Sequence, residues 1–225
     1  MANRKIPFAI GEHYHVYNRG VDKRIIFTDE YDIRRFFQSM VEFNTIDPIG
    51  SIYENSFLQL GGETPKSGQK KLVNIIAYCL NPNHFHLILE QLVDGGISEF
   101  MKRLGGGYTS YFNQKYKRSG SLFQGVFKSV HIDTNEYLLH VSAYVNLNNR
   151  VHRLSSQLGG ETPKLESMSS WGEYTNKKIT GICGKDIILG QFRNIGEYKD
   201  FALSSLKTIV KRKEELKDIR DFLLE

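Results

Sequence analysis

Cysteine is scarce in this chain of 225 residues: Cys79 and Cys183 are the only two, too few for a disulfide framework and in keeping with a reducing compartment. No apolar stretch is long enough to span a bilayer, and the first residues lack the hydrophobic run of a secretory leader. A soluble, cytoplasmic protein with no membrane partner is therefore expected. Solenoid architecture is excluded as well. The one internal repeat, Gln59 to Lys66 recurring at Gln157 to Lys164, is only eight residues long and could not bury a common core by stacking. Strong charge is also missing: Lys+Arg 30 against Asp+Glu 25 gives +5 and a pI near 9.0, which suits a polyanionic partner without identifying one.

With 40% hydrophobic residues the chain can bury one sizeable core, so one main domain is the starting expectation. Its most informative stretch runs from Val73 to Gln91 and reads as a β-hairpin. An apolar, partly β-branched arm ends at Leu80, Asn81-Pro82-Asn83 supplies the turn, and the second arm resumes at His84. Side chains alternate along a strand, so His84 and His86 share one face while Phe85 and Leu87 share the other. Two imidazoles without a third ligand are compatible with ordinary hydrogen bonding as well as with a metal. Cys79 lies close in sequence, but its spacing fits no usual zinc pattern, and a buried strand cysteine is expected.

Before the hairpin, His13 to Asn18 has strand character, and Arg19 leaves its end. His15 reads as a packed or hydrogen-bonded residue rather than a metal ligand. A helix comes next, with Thr28 as N-cap and Ile33, Phe36, Phe37, Met40 and Val41 at helical spacing. Asn44 to Lys71 reads as a long loop holding the first copy of the repeat. After the hairpin, Ile97 to Tyr116 is amphipathic, interrupted by Gly105-Gly106-Gly107, where a bend and a close backbone approach to phosphate are both open. Leu122 to Ile132 returns as a strand. A third helix capped by Asp133 or Thr134 carries Tyr144 and Asn148 four residues apart, hence on one face. Beyond Gln157 only a helix from about Glu197 is clear, with a charged run, Lys211 to Lys217, expected to be a solvated face.

The order β-α-β-β-α-β, then the tyrosine helix, predicts an α+β protein of the ferredoxin-like, split βαβ kind. An antiparallel sheet carries helices on one face, and a C-terminal helical extension completes the chain. The expected division is residues 1–155 for the main domain and 156–225 for a loop and that extension.

His84-Phe85-His86, together with Ala143-Tyr144-Val145-Asn146-Leu147-Asn148, resembles the HUH endonucleases, and among them the IS200-like and REP-associated tyrosine transposases. Tyr14 to Gly20, Gly120 to Ser129 and Ser170-Trp171-Gly172-Glu173-Tyr174 extend the likeness to about residues 10–175. Val126 departs from it, standing where many relatives carry a basic residue. The resemblance implies a metal-dependent single-stranded DNA endonuclease and strand transferase acting on single-stranded or hairpin, REP-like DNA. Tyr144 would be the nucleophile forming a 5′-phosphotyrosine. His84, His86 and Asn148 would hold a divalent cation, Mg²⁺ or Mn²⁺, and Arg19, Lys102, Arg103 and Lys128 are candidates for gripping DNA. Monomer and homodimer both remain open. The competing expectation is a non-catalytic ferredoxin-like nucleic-acid binder, RRM-like or a domesticated repeat-binding protein. Against the RRM form, the Lys/Arg-Gly-aromatic signature is absent.

Overall fold

The computed structural model describes residues 7–50, 52, 70–156, 167–179 and 181–222. Its elements run β1 (His13–Arg19), α1 (Glu30–Glu42), β2 (Val73–Asn81), β3 (His84–Gln91), α2 (Gly96–Lys115), β4 (Lys128–Ile132), α3 (Asn135–Ser156), β5 (Met168–Ser169), α4 (Trp171–Thr175), α5 (Asp186–Leu189) and α6 (Ile195–Phe222). The five strands form one sheet in the order β4-β1-β3-β2-β5, antiparallel at every pairing. The arrangement is the expected α+β, split βαβ one.

The near-continuous apolar runs of β2 and β3 are explained by burial on both faces. On the first face Val16, Leu80, Phe85, Leu87 and Leu89 meet Ile33, Phe36 and Met40 of α1 and Ile97, Phe100, Leu104 and Tyr108 of α2. These are the two crossover helices, on one face as expected. The tyrosine helix and the extension cover the opposite face, where Ala77, Cys79, Ile88 and Ile132 pack against Leu138, Val141 and Val145 of α3 and Tyr198, Ala202 and Leu206 of α6. The expected boundary at 155/156 falls at the end of α3. Beyond it the chain adds the edge strand β5 to β2 and packs α6 on α3.

Several local expectations are corrected. Asp29, not Thr28, caps α1: its carboxylate accepts from Asp32 N at 3.0 Å, while the Asp32 carboxylate accepts from Thr28 N at 2.8 Å. Only Lys128–Ile132 of the predicted Leu122 to Ile132 strand is extended, because Leu122 and Phe123 turn into the first core and Gly125 takes φ +70°. The glycine run does not interrupt α2. Gly107 is the position that needs no side chain, since a Cβ there would lie 2.6 Å from the Phe43 ring, so the close approach is to a side chain. The hairpin turn is shorter than expected. Asn81 is the last residue of β2, paired with His84, which leaves Pro82 and Asn83 as a two-residue loop.

The segment between α1 and β2 is closed at its base by Asn44. Its Oδ1 accepts from Leu72 N at 3.1 Å and Val73 N at 3.0 Å, and its Nδ2 donates to Val73 O at 2.9 Å. Both copies of the eight-residue repeat, and the side chains of the charged run beyond Lys211, lie outside the described residues. No helix among the described residues is long and apolar enough to cross a membrane.

Candidate active site

On the second face, α3 leaves uncovered the end of β1 at Tyr17 and Arg19 and the end of β4 at Lys128. A cleft of about 290 Å³ opens there, lined by Tyr17, Arg19, His84, His86, Gln124, Lys128 and Tyr144 among others. Strand register explains the gathering. Tyr17 pairs with His86 and with Lys128, and Arg19 pairs with His84, so alternation brings these side chains to one face of three adjacent strands. Helix α3 delivers Tyr144 from above, its ring 5.5 Å from the His86 ring and edge-on to it in the same chain.

The two imidazoles lie edge to face with centroids 5.1 Å apart, and each has its Nδ1 engaged. His84 Nδ1 donates to Asn83 Oδ1 at 2.6 Å, which makes Nε2 the lone-pair nitrogen of the neutral ring. His86 Nδ1 lies 2.9 Å from His15 Nε2. Burial pushes the His15 imidazole down to about 4, so it is uncharged at neutral pH; in the tautomer whose Nε2 accepts that bond, the His86 lone pair is on Nε2. His15 is thus the hydrogen-bonded residue expected from the sequence, and its partner is His86.

Asn148 sits beside this pair. Asn81 Nδ2 donates to Asn148 Oδ1 at 2.9 Å and lies 3.2 Å from His84 Nε2. Burial raises the Tyr144 hydroxyl above the ordinary tyrosine value, and the neighbouring Asn148 side chain offsets part of that rise.

The tyrosine helix is held by a buried polar chain two residues past Tyr144. Ser170 Oγ donates to Asn146 Oδ1 at 2.6 Å, Asn146 Nδ2 donates to the Tyr198 hydroxyl at 2.7 Å, and Ser170 Oγ accepts from Tyr78 N at 2.9 Å. One network therefore joins α3 to β2, α6 and the segment after β5.

Tyr144, His84, His86, Arg19 and Lys128 share the cleft, with Asn148 adjoining. Lys102 and Arg103 do not join them, because α2 packs on the other face of the sheet. Lys102 pairs with Glu99 at 3.4 Å, and Arg103 is committed to Glu99 and to the Thr45 and Ile46 carbonyls. Sequence reasoning missed Tyr17, Gln124 and Asn81. The period-2 pattern of β1 placed Tyr17 with His15, but only the register carries that face to His86.

Residues 64–148 match the family Transposase IS200 like. The IS200-like segment thus includes His84, His86, Tyr144 and Asn148, the residues on which the resemblance rested. No curated protein matches the chain. Among solved structures, one described as "Structure of the REP associates tyrosine transposase bound to a REP hairpin" is similar at 13% identity with a TM-score of 0.42, covering 81% of this chain and 90% of that one.

Among the described residues no group of three or more His, Cys, Asp or Glu side chains could hold a metal. The donors available at the cleft are instead two imidazoles with their Nδ1 atoms occupied and one amide oxygen. That mixed nitrogen and oxygen set fits a divalent cation of intermediate softness.

Proposed function

We propose that this chain is a divalent-cation-dependent endonuclease and strand transferase for single-stranded DNA, with Tyr144 as nucleophile. The observation that carries the reading is the approach of Tyr144 to His86 in a cleft that also holds His84, Arg19 and Lys128, within a segment matching the IS200-like family. His84, His86 and Asn148 would hold the cation, Mg²⁺ or Mn²⁺. When bound, it supplies Lewis-acid polarisation of a phosphate oxygen and offsets the charge that builds up there.

The chain's own groups do the rest. Arg19 and Lys128 grip the DNA backbone as cations near the target phosphate. Tyr144 Oη gives up its proton and attacks phosphorus. The bond to the 3′ oxygen breaks and that oxygen takes up a proton, giving a 5′-phosphotyrosine and a free 3′-hydroxyl. Burial opposes ionisation of Tyr144, and the neighbouring Asn148 side chain offsets part of that cost. The adduct keeps the energy of the broken phosphodiester, so a 3′-hydroxyl of a second strand can reseal it. The REP-associated resemblance adds the foot of a DNA hairpin as the place of cleavage.

A base-stacking platform of the RRM kind fits poorly. It needs an open face on the central strands, whereas Phe85 and Leu87 are buried under α1 and α2, and Cys79 and Ile88 under α3.

The test is incubation with Mn²⁺ and single-stranded DNA from the flanks of the protein's own gene, then denaturing electrophoresis. Wild type is expected to give a denaturation-resistant adduct. Tyr144→Phe should give none while DNA affinity stays within a few-fold, because only the attacking oxygen is lost. An adduct formed by Tyr144→Phe would overturn the assignment.

A further inference from the structure

The amide of Asn81 stands between two of the proposed cation ligands, at 3.2 Å from His84 Nε2 and 2.9 Å from Asn148 Oδ1. It is nearly inaccessible, with Asn81 2% and Asn148 0% exposed. Among the described residues neither Asn81 Oδ1 nor Asn148 Nδ2 has a hydrogen-bond partner. Two buried asparagines that served structure alone would be expected to exchange hydrogen bonds so as to satisfy both carbonyls and both amides, since an orphaned buried polar atom costs stability. Here one bond is made and two polar atoms are left over.

The two ends of an amide have nearly the same shape, and a half-turn about the last side-chain bond exchanges them. In Asn81 that turn would bring Oδ1 to the place of Nδ2, facing His84 Nε2 and Asn148 Oδ1. Three lone-pair atoms would then point toward one another, an arrangement that is repulsive unless a cation stands among them. Cross-strand register supports the placement. Asn81 pairs with His84 and Cys79 with His86, so Asn81 shares the face of both histidines.

We propose that Asn81 is an additional oxygen ligand of the divalent cation, joining His84, His86 and Asn148. This assignment rests on the proposed function. An added amide oxygen hardens the donor set without adding charge, which suits Mg²⁺ and Mn²⁺ more than Zn²⁺.

The decisive measurement is the affinity of the full chain for Mn²⁺ alone, read from the electron paramagnetic resonance of free Mn²⁺, with thermal unfolding of each variant as a check on folding. Loss of even an outer partner of a metal site typically costs about 10- to 100-fold in affinity, so Asn81→Leu is expected to weaken binding at least that much. Asn81→Asp separates the roles. A carboxylate cannot donate to Asn148 or His84 but offers an oxygen, so it should bind Mn²⁺ at least as tightly as wild type. Should Asn81→Leu bind as wild type does, or Asn81→Asp weaken binding, the ligand role is overturned and Asn81 merely braces Asn148. If Asn81→Leu fails to fold, Asn81→Asp decides alone. His84→Ala separates the two levels of inference: unchanged Mn²⁺ binding in that variant would remove the cation site itself, not just its fourth ligand.

Discussion

The two faces of the sheet are built to different rules. Against α1 and α2 the packing runs from β1 across β3 and β2 through apolar side chains, with the buried Asp32 tied to Lys115, Tyr111 and Tyr116 where the two helices meet. Against α3 and α6 it is apolar over β2, part of β3 and Ile132 of β4, it is crossed by the Ser170–Asn146–Tyr198 chain, and it ends before Tyr17, Arg19 and Lys128 at the cleft end of β1 and β4. The contrast separates two demands on one sheet. One face supplies burial and can be sealed. The other must keep polar groups in fixed positions beside solvent, so its helix is placed by directional hydrogen bonds as well as by packing.

The sharpest way to break this contrast is to cut opposite sides of the same strand. Phe85→Ala on the sealed face should cost about 3–5 kcal/mol of stability in denaturant unfolding. His84→Ala, one residue away on the open face, should stay within about 1 kcal/mol of wild type yet lose adduct formation. Equal stability losses from the two would mean that the faces are not divided as described.

Asn146→Leu tests whether polar placement matters on the second face. It leaves Ser170 Oγ and the Tyr198 hydroxyl without their Asn146 partner and should destabilise by about 1–3 kcal/mol. Because Asn146 lies two residues from Tyr144, adduct formation should also slow in a variant that is still fully folded at the assay temperature. An unchanged rate would show that apolar packing alone positions α3.

Arg19→Ala or Lys128→Ala should each weaken single-stranded DNA binding and reduce the slope of log affinity against log salt by about 0.7. Lys102→Ala, on the sealed side, should leave that slope unchanged. A Lys102 effect as large as that of Lys128 would extend the DNA path around the molecule.

The smallest effect is expected from deleting Leu60 to Lys66 or Leu158 to Lys164. The Asn44 bonds to Leu72 and Val73 hold the base of the segment between α1 and β2 whatever its length, and the sequence reads both copies as loops, where a change of length costs little. Unfolding midpoints and adduct yield should be close to those of wild type. The peptide Leu-Gly-Gly-Glu-Thr-Pro-Lys can also be spelled as a DNA hairpin, CTTGGGGGT-GAA-ACCCCCAAG, and near-palindromic codons at both copies would mark them as insertions of a short palindromic element.

How much of this was legible in the sequence depended on the range of the interaction. Alternation placed His84 with His86 and Phe85 with Leu87, and helical spacing put Tyr144 over Asn148, because both rest on local geometry. The sequence order of strands and helices was sufficient for the split βαβ arrangement. Register was not legible, and it is register that brings Tyr17 and Arg19 of β1 to the histidines. Asn81 was hidden by a one-residue difference in turn length: taken as a turn residue it has no face, whereas paired with His84 it has one. The placement of Lys102 and Arg103 away from the cleft was not legible, because a basic residue off an apolar stripe announces solvent but not which side of the sheet it looks from. Between Gln157 and the last helix the chain gave little signal, because the described elements there are a two-residue strand and helices of five and four residues, too short to show a period.

The position of Ser170 has a consequence for the order in which the protein is made. A ribosome releases the chain from its N-terminus, so both histidines and Tyr144 are synthesised before the serine and tyrosine that fix the helix between them. A nascent chain halted at residue 160 would already carry every group proposed for cutting DNA, yet would lack Ser170 and Tyr198, the two side chains to which Asn146 is bonded. Synthesis as far as Tyr198 is thereby needed before Tyr144 can be fixed in place, and fragments that stop short of Ser170 would carry the proposed site residues without the brace that aligns them.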